Sequence, residues 1–444
     1  MLMIKKIFIF VLFFCLSWNA YAISLISDEE TESWLYDILM PIFRAASLPL
    51  DRNYIHIVKD DSLNAFVGDK NHMFIHTGTL VRASNSNEIE GVLAHETGHI
   101  LGGHILRLKI KMQDLQKATL ASLLAAAGAA AASGRGDAAI AVVLGAQSTA
   151  INAMTAYQMS EERAADETAV LLLRKNNKSV AGLKNFMGKI QHTNRLQGIE
   201  ESAYFRTHPI TSERISFFDD KLKQEKNPIF DTQMDHRFRR IQTKLFAYLA
   251  PLPAILKRYP LEDQSIQAKI AHAVYYMRQK NISQALKYTD ELIASEPNNP
   301  YFWELKAQAL FETGRIKEAV QAYQETLNLK PESELFKLSY AEAVLASEPN
   351  RTDMEKLIPM LEQTSRKHVS PASYLYLGQI YAQLGQDAMA DYFAAEYNHA
   401  IGETALAQKM LTKALKKPLR SDIKLRAEDL KAKLEQDKKK NSLF

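Results

Sequence analysis

Thiols are almost missing from this chain. Its 444 residues include one cysteine, Cys15, so no intrachain disulfide can form, and a transition metal would have to be held through nitrogen and oxygen. Long apolar runs are scarce as well. Beyond residue 22 no stretch reaches the about 20 continuous apolar residues of a spanning helix, which disfavours a membrane-embedded protein. Charge of one sign is lacking too. A net charge of +4, with no concentrated basic stripe outside the C-terminal tail, leaves no electrostatic footprint for nucleic acid. What remains, 47% hydrophobic and 24% charged residues, describes a globular chain long enough for two or three cored domains.

The first residues read as a cleaved export signal. Lys5 and Lys6 precede a short apolar core at 7–16, and Ala20-Tyr21-Ala22 supplies a small-x-small cleavage pattern. Cys15 lies inside this signal, and Leu12, Phe13 and Phe14 before it are too large for a lipid-modification site. The expectation is a signal peptide at 1–22 and a soluble, thiol-free exported protein.

A helix is expected at about 31–46. Two short β-type runs, "YIHIVK" and "HMFIHTG", follow between 54 and 78, and the pattern turns helical from Asn87 onward. Strands first and helices afterwards predict an α+β, mostly helical domain at 23–225. A helical linker at 226–262, an all-α region at 263–437 and a flexible tail at 438–444 complete the expected layout. In the all-α region Ala273, Ala285 and Pro297 recur 34 residues later as Ala307, Ala319 and Pro331. With Gly314 at a turn and Tyr323 between, this spacing resembles the tetratricopeptide repeat, whose stacked helix pairs form a solenoid with a concave binding surface. Residues 119–150 form two alanine-rich apolar helices broken at 133–137. Each half is too short to span a membrane, so a buried or half-buried hairpin is expected. A surface touching membrane or unfolded chains is the alternative.

The segment "VLAHETGHI" places three polar groups in an otherwise apolar stretch. On a helix His95 and His99 share one face with Cβ atoms about 5–6 Å apart, so both imidazoles can reach one zinc ion. Glu96, rotated by about 100°, can address a metal-bound water. This is the H-E-x-x-H pattern, with glutamate as general base. A third ligand is needed. "SEERAADETAV" offers Glu162, with Asp166 four residues on to orient a ligand imidazole, although Glu161 or Glu167 would also satisfy the spacing. His104 falls nine residues after His95, about 180° around a continuous helix, and is not assigned as a ligand.

"HETGHILGGH" followed by "EERAAD" is similar to the zinc metallopeptidases typified by the CAAX prenyl protease and its soluble bacterial relatives. That resemblance implies a zincin-like domain with one zinc per chain, and it selects His95, His99 and Glu162 as ligands with Asp166 beside them. It also carries over "NAF" at Asn64 and "THPITSERI" at 207–215, which implies that His208 is the oxyanion donor or a resting-state latch on the metal, and that Arg214 supports the site. Asn64, Phe74, Ile75 and His76 are expected to bind an extended substrate, the "MFIHTG" strand acting as a sheet edge. The implied substrates are unfolded or misassembled proteins of the periplasm, outer-membrane β-barrel precursors among them. The barrel-assembly machinery is the implied partner of the repeats, and 119–150 a site of peripheral membrane contact. The competing reading is a non-proteolytic repeat-based chaperone or scaffold.

Overall fold

The computed structural model describes residues 24–441 apart from 134–135, 198–203, 205–206 and 368–369. The expected export signal at 1–22 lies outside these residues. So does the end of the expected tail, and the last helix, Ser421–Asn441, runs further than the sequence suggests.

The first unit opens with β1 (Leu25–Ile26) and α1 (Glu29–Ala45). Asp28 caps α1 by accepting from the Thr31 amide at 2.8 Å. Its helical spacing buries Trp34, Leu35, Ile38, Leu39, Ile42 and Phe43 on one face. Three further short strands follow: β2 (Ile55–Val58), β3 (Ala65–Val67) and β4 (Met73–His76). The sheet order is β1-β2-β4-β3, with β2 parallel to β4 and β3 antiparallel to it. Alternation sends Ile57 and Ile75 into the core, while His56, Phe74 and Phe66 stack on the other face with ring centroids 4.7 and 4.9 Å apart.

This order corrects one expectation. The "MFIHTG" strand is β4, which is paired on both sides; the outer strand beside it is β3, and β1 forms the opposite edge. Sequence pattern marks strands but not their order, and the three residues of β3 are too few to show a period.

After α2 (Thr77–Arg82) comes α3 (Ser86–Gly102), capped by Asn85, whose Oδ1 accepts from the Glu88 amide. α4 (His104–Ser133) and α5 (Gly136–Lys175) form a long antiparallel pair. Two glycines let α3 sit close to its neighbours. A Cβ on Gly91 would lie 2.6 Å from the Leu183 amide nitrogen in α6 (Ala181–Gln197), and one on Gly98 would lie 2.7 Å from the Ala165 carbonyl in α5. Gly98 lies inside the histidine motif, so the motif helix and the Glu162 helix meet backbone to backbone.

Among the described side chains of 119–150, Ala126 is buried and Ser122, Val143, Ala146 and Ala150 are half-buried, whereas Leu120, Leu123, Leu124 and Leu144 are 49–68% exposed, so its leucines do not enter a core. Alanine content is compatible with close helix packing but does not decide whether a third element covers the pair.

The expected linker is also not a spacer. After α7 (Ser212–Lys223), α8 (Thr232–Leu249) inserts Phe238, Ile241 and Leu245 into the first core, and Trp34 stacks on Phe238 at 5.0 Å. Ala247 of the same helix joins the next core with Ile255 and Val274. Antiparallel helix pairs follow, with the repeat alanines Ala273, Ala285, Ala307, Ala319 and Ala341 all buried at the crossings. Gly314 turns the chain at φ 80° between two of these helices. Charged groups tie the repeats to α1. Lys330 lies 2.8 Å from Glu29, and Arg240 of α8 reaches both Glu30 and Glu296.

Candidate metal centre

The i, i+4 spacing on α3 brings the two motif rings together, with the Nε2 atoms of His95 and His99 3.1 Å apart. From α5, Glu162 reaches both, at 3.3 Å from each Nε2. The neighbouring acids that spacing left open go elsewhere: Glu161 faces His104 and Arg107, and Glu167 lies beside Arg163 on the surface. His95, Glu162 and His99 are buried at 0%, 3% and 9% exposure. One ligand atom each from His95, His99, Glu162 and His208 falls within 4.8 Å of the others.

These spacings suit a cation. Ligands about 2.0–2.1 Å from a tetrahedral zinc stand about 3.4 Å from one another, and the three edges here are 3.1, 3.3 and 3.3 Å. Two imidazole nitrogens facing each other at 3.1 Å can be reconciled by one proton or by one metal. The local electrostatics are lopsided without the latter. Burial opposes a charge on His95, but Asp166 and Glu162 push its pKa up to about 10, whereas burial drives His99 down to about 3. Burial also resists ionisation of Glu162, yet its interaction with His208 and hydrogen bonds from the surrounding imidazoles hold it well below the usual carboxylate range. Two imidazole nitrogens and a carboxylate oxygen at these spacings are a donor set that fits a borderline divalent ion.

The surrounding groups fix this arrangement. His95 Nδ1 lies 2.9 Å from Asp166 Oδ1. Arg214 of α7 donates to both Asp166 oxygens, at 2.6 and 2.8 Å, and to the Pro209 carbonyl at 2.8 Å. Its Nη1 also lies 2.8 Å from Glu162. Arg214 thus ties the 207–211 segment to α5. On that segment His208 places Nδ1 3.0 Å from Glu162 and Nε2 3.5 Å from Glu96, with its ring tilted on Tyr204. Glu96, 1% exposed, points into the same space, and burial raises its carboxyl pKa.

A cleft of about 250 Å³ opens onto the cluster, lined by Phe66, Val67, Ile105, Leu108 and Tyr157 beside Glu96 and His99. The expected substrate-binding residues do not line it. Ile75 is in the core, Phe74 is stacked between Phe66 and His56, and His76 Nδ1 pairs with the Ser62 hydroxyl. The Asn64 amide and carbonyl are both tied to the Thr79 hydroxyl. The outer strand contributes Phe66 and Val67 instead, residues that "NAFVG" contains but that a register assigned to β4 passes over.

His104 is the other residue the sequence reading misplaced. The continuous helix assumed for it ends at Gly103, whose left-handed φ of 63° starts a new helix. The chain turns back there and brings His104 Nδ1 to 2.5 Å from His99 Nδ1. The paired glycines of "LGGH" carried that signal.

Residues 29–221 match peptidase family M48, and residues 270–334 match a tetratricopeptide repeat model. The chain is similar to the beta-barrel assembly-enhancing protease of Yersinia pestis, 22% identical over 65% of this chain and 60% of that protein. It is 20% identical to the protein of that name from Escherichia coli K12, over 72% of this chain and 66% of the other. The metalloprotease YcaL of the same strain is 32% identical over 37% of this chain and 60% of its own length. The chain thus spans slightly under two thirds of the length of these relatives. The side chains that converge from α3 and α5 lie within the matched span, and the chain carries a peptidase family M48 domain at residues 29–221, followed by tetratricopeptide repeats.

Proposed function

We propose that this protein is a zinc-dependent endopeptidase of the cell envelope, exported by a cleaved signal to the periplasm. Its substrates are misfolded or misassembled proteins, outer-membrane β-barrel precursors among them, and it has a second, chaperone role in their assembly. The observation that carries the reading is the convergence of His95, His99 and Glu162 beside the buried carboxyl of Glu96. The name shared by the Yersinia pestis and Escherichia coli relatives, beta-barrel assembly-enhancing protease, supports the choice of substrate class.

Zinc, one per chain, would be held by the Nε2 atoms of His95 and His99 and by the Glu162 carboxylate, and when bound it polarises a carbonyl and acidifies a water. Glu96 accepts the proton of the attacking water and passes it to the leaving amine. His208 donates to the developing oxyanion from the 207–211 segment held by Arg214. Asp166 keeps the His95 ring oriented. An extended chain adds to the free edge of β3 beside α3, which reads backbone more than sequence and so favours unfolded segments. The repeats hold the partner, the barrel-assembly machinery by this reading, and the open apolar face of α4 and α5 holds client chains or the membrane surface.

The test is cleavage of one protein in its folded and unfolded forms. Faster cutting of the unfolded form, abolished in Glu96→Gln, is the expected result. A Glu96→Gln variant that behaves like the wild type in cells would transfer the function to the repeats as a scaffold.

A further inference from the structure

We propose that His104 and Glu161 form a relay that sets the tautomer of His99, making them positioning residues for the metal centre. The inference rests on the zinc reading above. Its basis is a chain of contacts: His99 Nδ1 to His104 Nδ1 at 2.5 Å, His104 Nε2 to Glu161 Oε2 at 2.8 Å, and Arg107 Nη2 to the same oxygen at 2.5 Å. The two rings meet nearly edge to face, at 81° with centroids 4.7 Å apart.

The polarity of this chain follows from what each atom can do. Glu161 Oε2 lies 2.8 Å from His104 Nε2 outside hydrogen-bond geometry, and a carboxylate that close, itself an acceptor only, favours the N–H over a lone pair on Nε2. A neutral His104 then carries a lone pair on Nδ1. The short Nδ1–Nδ1 contact needs one donor, which must be His99 Nδ1. His99 is left with a lone pair on Nε2, the atom that faces His95 and Glu162. Thus His95 is anchored directly on Asp166, and His99 on Glu161 through an intervening imidazole.

The backbone is shaped for this contact. Gly103 at φ 63° ends α3 and turns the next residue back toward it. Gly102 leaves room for the ring, since a Cβ there would lie 2.0 Å from His104 Nε2. His104 is 6% exposed and lies outside the group of four that converge on the cation position, so it orients a ligand without being one.

The test measures zinc affinity of the full chain by competition with a chromophoric chelator, together with ¹⁵N shifts of the histidine ring nitrogens in the metal-free protein. His104→Ala should weaken zinc binding about 10–100-fold, the usual scale for loss of a ligand's hydrogen-bond partner. His99 should move from the Nδ1–H to the Nε2–H form. His104→Asn, whose amide oxygen reaches the Nδ1 position, should recover most of the affinity, and Glu161→Ala should weaken it like His104→Ala. Wild-type zinc affinity in His104→Ala would overturn the relay, as would equal loss in the Ala and Asn variants. Zinc binding without peptidase activity in the wild type would instead remove the proposed function and leave the relay standing.

Discussion

His95 and Asp166 lie 2.9 Å apart, Nδ1 to Oδ1, with neither exposed by more than 1%. A carboxylate behind a ligand imidazole fixes the ring and raises its basicity toward the metal. Asp166→Asn, with an amide that can present a donor to Nδ1, should therefore weaken zinc binding about 10–100-fold. Chelator competition checks this, and an unchanged affinity would show that His95 needs no such support.

Arg214 is 7% exposed and holds Asp166 through two hydrogen bonds while reaching the Pro209 carbonyl. Removing one partner of a buried pair strands the other charge, at a cost of about 3–5 kcal/mol. Arg214→Ala should lower the denaturant midpoint accordingly. Cleavage should fall further than metal occupancy, because the segment bearing His208 is released. A midpoint within error of the wild type would refute this.

Gly98→Ala tests how closely α3 and α5 must approach. The added methyl meets the Ala165 backbone at 2.7–3.2 Å, so the helices must part and Glu162 must retreat from His95 and His99. A folded protein with markedly reduced zinc content is expected. The same change on an isolated helix would be favourable by about 1 kcal/mol, so an unaltered or more stable metal centre would mean that the close contact is not required.

On the hairpin, Leu123 and Leu124 are exposed by 49% and 68%. Leu123→Ser with Leu124→Ser should leave stability within about 0.5 kcal/mol, as for other exposed sites. Binding of an unfolded protein or of anionic vesicles should fall several-fold. Stability lost without loss of binding would show the arm to be packed in solution.

Where the repeats meet the first domain, Glu304 has its pKa raised to about 7 by burial and by Asp28 and Glu30, against the pull of Lys244. A raised carboxyl pKa means that the folded state binds the proton more tightly. Its stabilising contribution is present below about pH 4.5 and is lost as pH climbs toward 7. Glu304→Gln should remove this slope, so its stability relative to wild type should increase across that window. A difference independent of pH would place the ionised group in solvent.

The division into an α+β domain and a helical repeat array was legible because periods of 2, 3.6 and 34 residues survive in single sequences. His95, Glu96 and His99 were legible because helical geometry turns spacing into a shared face. Glu162 needed the family resemblance, since Glu161 and Glu167 fit the spacing equally well, and the packing of α5 on Gly98 is what separates them. Other features depended on tertiary facts without a local signature. The outer position of β3 is a matter of strand order. The return of His104 depends on one left-handed glycine. Exposure of the alanine-rich pair depends on no third element covering its described leucines, and the insertion of α8 into the first core depends on Trp34, just over two hundred residues before Phe238.

The most direct measurement compares wild type and Glu96→Gln for zinc content and for cleavage of one unfolded protein. About one zinc per chain in both is expected, with cleavage in the variant slower by about 10²–10⁴-fold, the scale of a lost general base. A wild-type chain that holds no zinc, or a Glu96→Gln chain that cuts at the wild-type rate, would contradict a hydrolytic centre built on His95, His99 and Glu162.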